Sequence, residues 1–387
     1  MSGARPDVVV VGAGAIGLAS AWRLAARGAA VTVVDPAPGG GASTVAAGML
    51  APVTESRIGE EALLALGMAS WALWPSFAAE VEAAAGTPVG YRADGTLVAA
   101  LDADDRRLLD ELVERQRRLG LEVTTLRGRE ARALEPALAP GVRAGAVAAN
   151  ERSVDPAALH AALLTASRAA GVDVREAAVE RVLVSGDGPD GRATGVALTG
   201  GEVVEAPTVV LAAGSWSGRL AGIPDAARLP VRPVRGEVVT VRPPGGEPLL
   251  TRTLRGLVHG FTIYLVPRAD GRIVVGATVE EKGFDTTVTA GGAYALLRDA
   301  LALVPGLDDA ELVGVRAGLR PGSPDDLPMV GATAVPGLVA ATGHYRNGIL
   351  LTPITAEAVA ATAAGEPVPE AVLACDPRRF APVEVAG

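Results

Sequence analysis

The 387-residue sequence predicts an α/β (α+β) chain in which a Rossmann-like dinucleotide domain is interrupted by an inserted antiparallel-sheet domain. A glycine-rich turn joins two apolar runs near the N-terminus. Between Val231 and Val279 the pattern changes to repeated short strands. From Leu338 to Ala364 a second apolar run leads through a glycine-bearing turn into a helix-forming stretch.

Asp7 to Val11 is a β-branched run without polar alternation, as a strand covered on both faces requires. Gly12-Ala13-Gly14-Ala15-Ile16-Gly17 follows, Ile16 to Gly28 reads as a helix of small and apolar residues, and Ala30 to Val34 is a second buried strand ending at Asp35. In such a unit Gly12 makes the tight turn, Gly14 lets backbone approach a pyrophosphate, and Gly17 lets helix and strand touch. The helix N-terminus offers free N–H groups and a positive dipole end to phosphate. Asp35 is placed to accept hydrogen bonds from an adenosine ribose and to repel a 2′-phosphate.

Ala46 to Ile58 and Glu60 to Ala85 carry helix formers, and Pro75 is expected to kink or divide the second stretch. Tyr91 to Leu101 is strand-like, with Asp94-Gly95 as a turn, and Asp104 to Leu119 is an amphipathic helix. Asp155 to Ala170 is a helix that Asp155 caps and Pro156 begins. Short strands follow at Val172 to Val174, Glu180 to Val184 and Ala193 to Leu198. Thr208 to Ala212 ends in Ala213-Gly214-Ser215-Trp216 and returns the chain to the first sheet.

Glu237 to Val241, Thr262 to Pro267 and Arg272 to Thr278 form the antiparallel part, the last two joined around Asp270-Gly271. Ala293 to Leu303 is a helix. Leu338 to Thr342 is a buried strand, and the turn Gly343 to Gly348 is expected to open a helix whose N-terminus faces a ligand. The resulting partition gives residues 1–85, 151–225 and 326–366 to a discontinuous dinucleotide domain. Residues 86–150 and 226–325 go to a substrate domain, and 367–387 to a C-terminal tail.

A net charge of −9 without a basic run argues against nucleic acid as a partner, since phosphate binding needs clustered cations. Lys282 is the only lysine among many arginines, a compositional bias. The single cysteine, Cys375, excludes an intramolecular disulfide and a Cys-x-x-Cys redox pair, so electron transfer needs an organic cofactor. His160, His259 and His344 show no ligand spacing, and no metal is expected. Val8 to Ala21 has some look of a secretory leader, but Asp7 interrupts the positive lead-in. Arg23 and Arg27 break the apolar stretch short of a membrane span, and a cytoplasmic protein is expected.

Five stretches, in order and spacing, resemble one family over nearly the whole chain. They are Gly12 to Gly17 with Asp35; Gly41-Ala42-Ser43-Thr44-Val45-Ala46-Ala47-Gly48-Met49-Leu50; Tyr264 and Arg268 in Tyr-Leu-Val-Pro-Arg; Gly318-Leu319-Arg320-Pro321; and Gly343-His344-Tyr345-Arg346-Asn347-Gly348-Ile349-Leu350. Together they are similar to the glycine oxidases of the thiamine pathway, within the D-amino acid oxidase superfamily of FAD-dependent oxidoreductases. Asp35 stands where these flavoproteins more often have glutamate, and the shorter acid can still accept ribose hydrogen bonds.

The resemblance implies a Rossmann-like FAD-binding domain with non-covalent FAD on Gly12 to Gly17 and Asp35. Ser43 and Thr44 would lie near the phosphates or ribityl chain, Ala47, Gly48 and Met49 along the flavin, and Gly214 beside it. Gly343, His344, Tyr345, Arg346, Asn347, Gly348 and Ile349 would aim backbone N–H groups at the pyrimidine edge, where negative charge develops. Arg320 would bind a substrate carboxylate through two parallel donors, and Tyr264 would add a phenolic hydrogen bond. Arg346 would close the site, contact substrate or neutralise an acid, and His344 would be structural or a polar lining residue. Competing readings place Arg320 in a salt bridge with Asp325 or Asp326, and Tyr264 in the core.

The implied reaction converts glycine, O2 and water to glyoxylate, ammonia and H2O2 through an imine, with no general base required. The imine hydrolyses or passes to thiazole synthase, and a homo-oligomer is expected. Sarcosine oxidases use a cysteine near 318–328 and a lysine near the flavin; this chain has no cysteine there and no lysine in Gly271 to Gly276. A quinone-linked D-amino acid dehydrogenase stays open. So does a non-enzymatic dinucleotide sensor, against which Arg320 and Tyr264 weigh.

Overall fold

The computed structural model describes residues 5–186, 191–245 and 248–380. Residues 381–387 of the expected tail lie outside the described residues.

Two large sheets organise the molecule. The first has six strands in the order 329–332, 338–342, 208–211, 8–11, 31–35 and 173–176. All neighbours are parallel except Met329–Ala332, which runs antiparallel to Leu338–Thr342. Val8–Val11 is buried throughout, as its unbroken valines require. The helices Ala15–Ala26, Pro156–Ala169, Glu61–Ala85 and Thr352–Ala364 pack together in the core on this sheet. The second sheet has eight strands in the order 311–322, 232–242, 273–276, 261–267, 253–258, 96–100, 144–148 and 124–127. It is antiparallel except where Thr253–Val258 runs parallel to Thr96–Ala100. Ala290–Leu303 covers one face with its own apolar cluster.

Several elements differ from the sequence reading. Ala46 to Ile58 is not helical: Met49–Leu50 pairs with Arg152–Ser153, and Gly48 adopts φ +78° with Val154 O against the place a Cβ would take. Tertiary packing overrides helix propensity there. Glu61–Ala85 runs through Pro75 without division. Proline cannot donate to Trp71 O, and that carbonyl accepts instead from Arg152 Nη1 at 2.9 Å. This helix is long and apolar enough to cross a membrane, yet it packs on Pro156–Ala169 and Thr352–Ala364 with Trp74 and Phe77 buried.

The last helix begins at Thr352, not in the glycine turn. Tyr345 has φ +46° at the start of a single 3-10 turn, Tyr345–Asn347, and this delays it. The strands Thr253–Val258 and Glu311–Gly322 were not expected, because arginines and glycines interrupt their apolar patterns. Residues 367–380 are no free tail: Val372 and Cys375 are in the core, and Arg379 pairs with Asp325 at 2.8 Å.

Candidate active site

A cavity of about 640 Å³ runs between the two sheets, lined at one end by the N-terminal glycine turn and at the other by long side chains of the eight-stranded sheet. At the first end Gly12, Gly14, Ala15 and Ile16 face the cavity, with Asp35 and Gly39 to Ser43 beside them. Gly12 has φ +109°, and a Cβ there or at Gly17 would overlap a backbone carbonyl, of Ala212 and Gly12 respectively. Gly14 is different: a Cβ would meet only Ser43 Oγ, at 3.2 Å, so its bare side opens on the cavity. Asp35 Oδ2 accepts from Ala13 N at 2.7 Å and Oδ1 from Ala37 N at 2.8 Å, so the acid also ties the turn in place. His160 Nε2 lies 2.8 Å from Ala13 O and supports the same turn from beneath.

Among the expected cofactor residues, Ser43, Ala47, Gly48, Met49, Gly214, His344, Tyr345, Arg346, Gly348 and Ile349 line the cavity. Ala13, Gly17, Thr44, Gly343 and Asn347 stand behind it. Thr44 Oγ1 donates to Gly39 O, and Asn347 N to His344 O. A turn rather than a helix N-terminus therefore faces the cavity at 343–349. His344 is buried, with Nε2 3.0 Å from Thr355 Oγ1, and burial pushes its imidazole down to about 3, so the ring is neutral.

At the second end Tyr264 and Arg320 lie side by side. Arg320 Nη1 donates to Thr278 O at 3.1 Å and Arg235 O at 3.4 Å. Among the described residues no carboxylate forms an ion pair with Arg320; Asp325, its expected rival partner, is held by Arg379. Tyr264 is half-buried and faces the cavity rather than the core. Burial pushes its phenol pKa up, and the neighbouring Arg320 guanidinium opposes that rise. Arg346 lines the cavity, but its Nη2 lies 2.8 Å from both oxygens of Glu60, so it neutralises an acid. Arg268, at the end of the Tyr264 strand, is buried and donates to Ala47 O at 2.7 Å and Val154 O at 3.1 Å. It ties the substrate end to the Ala47–Met49 segment.

The sequence reading missed Glu55 and Arg255, which line the cavity and pair at 2.6 Å. It also missed Arg57, Trp216, Arg219 and Thr262 at the cavity wall. No local pattern marks such residues; Glu55 and Arg255 are 200 positions apart.

The bare turn, the cavity-lining Asp35 and a cavity that also takes in Met49, Ile349, Tyr264 and Arg320 suit an extended dinucleotide. Residues 7–362 match the family described as FAD dependent oxidoreductase. The chain belongs to that family. It is an FAD-dependent oxidoreductase, and Cys375, buried in the core, is not among the cavity-lining residues.

Glycine oxidase of Geobacillus kaustophilus is 37% identical over 362 residues, covering 92% of both chains. The crystal structure of glycine oxidase from that organism superposes with a TM-score of 0.87 at 34% identity, covering 96% of this chain and 98% of its own. The bifunctional protein ThiO/ThiG of Trichormus variabilis is 35% identical over 92% of this chain, which spans only 52% of that longer protein. The chain thus spans about half the length of the bifunctional relatives it matches.

Proposed function

We propose that this enzyme oxidises glycine and other small amines or amino acids at the carbon bearing the amine, producing an imine that water converts to the oxo acid and ammonia. For glycine the balance is glycine + O2 + H2O → glyoxylate + NH3 + H2O2. The observation that carries the proposal is the pairing in one cavity of the Tyr264 phenol with an Arg320 guanidinium that forms no ion pair with a carboxylate among the described residues. Two parallel N–H donors match a carboxylate, and the phenol adds a third bond.

Bound FAD supplies the acceptor for the electron pair that leaves the substrate carbon. The chain's own residues position. Arg320 fixes the carboxylate, the carbonyls of Thr278 and Arg235 hold the guanidinium, and Arg268 sets the Tyr264 strand against the Ala47–Met49 segment. Glu55 with Arg255 and Glu60 with Arg346 are internally neutralised, and of the cavity-lining arginines it is Arg320 that stands next to the Tyr264 phenol. No side chain is required as a general base, because the lone pair of the neutral amine forms the C=N bond as the hydride leaves the substrate carbon.

Use of the imine in thiazole formation, with hand-off to thiazole synthase, belongs to the same proposal, and the two-part name of the ThiO/ThiG relatives supports it. A cytoplasmic setting and a homo-oligomer belong to the same proposal. The test is anaerobic mixing of the FAD-loaded enzyme with glycine, sarcosine and D-amino acids, followed by admission of oxygen. Flavin bleaching with glycine and stoichiometric peroxide on reoxidation are expected. Bleaching followed by slow reaction with oxygen and fast reaction with a quinone would instead identify a dehydrogenase.

A further inference from the structure

Gly236 and Gly276 lie on neighbouring antiparallel strands of the eight-stranded sheet and both occupy the substrate end. Tyr264 is directly opposite Gly276 in the ladder, and Gly276 is opposite Val238, two residues along from Gly236 on the same face. Gly236 and Val238 line the cavity. A Cβ at Gly236 would fall on Arg320 Nη1, Nη2 and Cζ, and one at Gly276 on Tyr264 Oη, Cζ and Cε2, all closer than the 3.0 Å that real Cβ contacts keep. Each anchor thus lies flat on bare backbone.

Neither glycine has positive φ, so φ does not demand glycine at either position, and the Gly276–Ala277 peptide is cis. The atoms a methyl group would strike are the far ends of flexible side chains, not backbone. A methyl at either position meets its anchor first. We propose that Gly236 and Gly276 are positioning residues for substrate recognition. Each leaves the space in which an anchor, Arg320 or Tyr264 respectively, takes up its carboxylate-binding pose.

A methyl at 236 would lift the guanidinium away from the Thr278 and Arg235 carbonyls that hold it. A displaced guanidinium weakens its charge-assisted bonds to the carboxylate of glycine and of acetate alike, a loss that falls on binding. The inference rests on Arg320 as the carboxylate anchor.

The test uses the FAD-loaded enzyme. Gly236→Ala is made alone and with Arg320→Ala, and Gly276→Ala alone and with Tyr264→Ala. Each is measured for flavin content, thermal midpoint, glycine KM and kcat, and the dissociation constant of acetate, read from perturbation of the visible spectrum. Gly236→Ala is expected to keep its flavin and midpoint, to raise glycine KM and the acetate constant by roughly 10-fold or more, and to change kcat much less. In the Arg320→Ala background the same substitution should add little, because the group it displaces is gone. Gly276→Ala should depend on Tyr264 in the same way. An unchanged acetate constant in Gly236→Ala overturns the proposal. An effect that persists in full without Arg320, or loss of flavin or midpoint, also overturns it by placing the need for glycine in the sheet. If Arg320→Ala alone leaves glycine KM unchanged, the anchor reading fails first; if it raises KM while Gly236→Ala does not, only the present inference fails.

Discussion

The two ends of the cavity use glycine in opposite ways. At the dinucleotide end a Cβ on Gly12 or Gly17 would strike backbone carbonyls, so these glycines let main chain touch main chain and the ligand-facing surface is itself backbone. At the substrate end a Cβ on Gly236 or Gly276 would strike a guanidinium or a phenol, so these glycines make room for side chains and the ligand-facing surface is chemically specific. The first arrangement is rigid and selects a shape common to many dinucleotides. The second can be retuned by moving one side chain, which suits a fold shared by enzymes with different amine substrates.

The sharpest way to break this contrast is Gly17→Ala. Its Cβ would overlap Gly12 O with no flexible group to yield, so we expect a loss of roughly 3 kcal/mol or more and failure to retain FAD. Thermal unfolding of the flavin-free chain and FAD titration by fluorescence measure both. A variant with normal stability and FAD affinity would show that the close approach is dispensable.

Next in size is Arg320→Ala, which removes the anchor and leaves the dinucleotide end intact. A charge-assisted hydrogen bond contributes about 1.5–3 kcal/mol, so kcat/KM for glycine should fall roughly 10- to more than 100-fold at constant flavin content. Arg320→Lys should recover only part of this, since an ammonium lacks the planar pair of donors. Unchanged kcat/KM in Arg320→Ala would place the carboxylate elsewhere.

A pH measurement probes the segment that joins the two ends. Glu151 is buried, and both its oxygens accept from Thr54, just before Glu55. Burial pushes its carboxyl from 4.5 up to about 7. A raised carboxyl pKa gives stability that is fully present below 4.5 and is lost as pH rises through about 7. Glu151→Gln can keep both bonds without titrating, so it should gain on the parent by roughly 2 kcal/mol between pH 5 and pH 8. Parallel thermal midpoints for the two proteins across that range would remove Glu151 as the source.

The smallest effect is expected at Arg346. Its guanidinium is already committed to Glu60 and is not free for a substrate carboxylate, so Arg346→Gln should change glycine kcat/KM by less than about 5-fold. A fall like that of Arg320→Ala would mean that Arg346 leaves Glu60 to hold substrate.

What the sequence determined by itself is the part built from consecutive residues. The strand, glycine turn, helix and acid from Val8 to Asp35 are legible because each position obeys a local rule of burial, turn geometry or helix capping. The stretches around Tyr264, Arg320 and 343–349 are picked out by their resemblance to the glycine oxidases, and their surroundings are not legible. Only the tertiary structure decided that Ala46 to Ile58 is not a helix, since the opposing strand Arg152–Ser153 and the carbonyl of Val154 exist for it only in the folded chain. Only the tertiary structure let Glu61–Ala85 continue through Pro75, because Arg152 reaches the carbonyl that proline leaves without a donor. The pairs Glu55–Arg255 and Glu60–Arg346, and the glycines beneath Arg320 and Tyr264, follow the same logic. Hydrogen bonds and close contacts act over a few ångströms of space, and a sequence records distance along the chain.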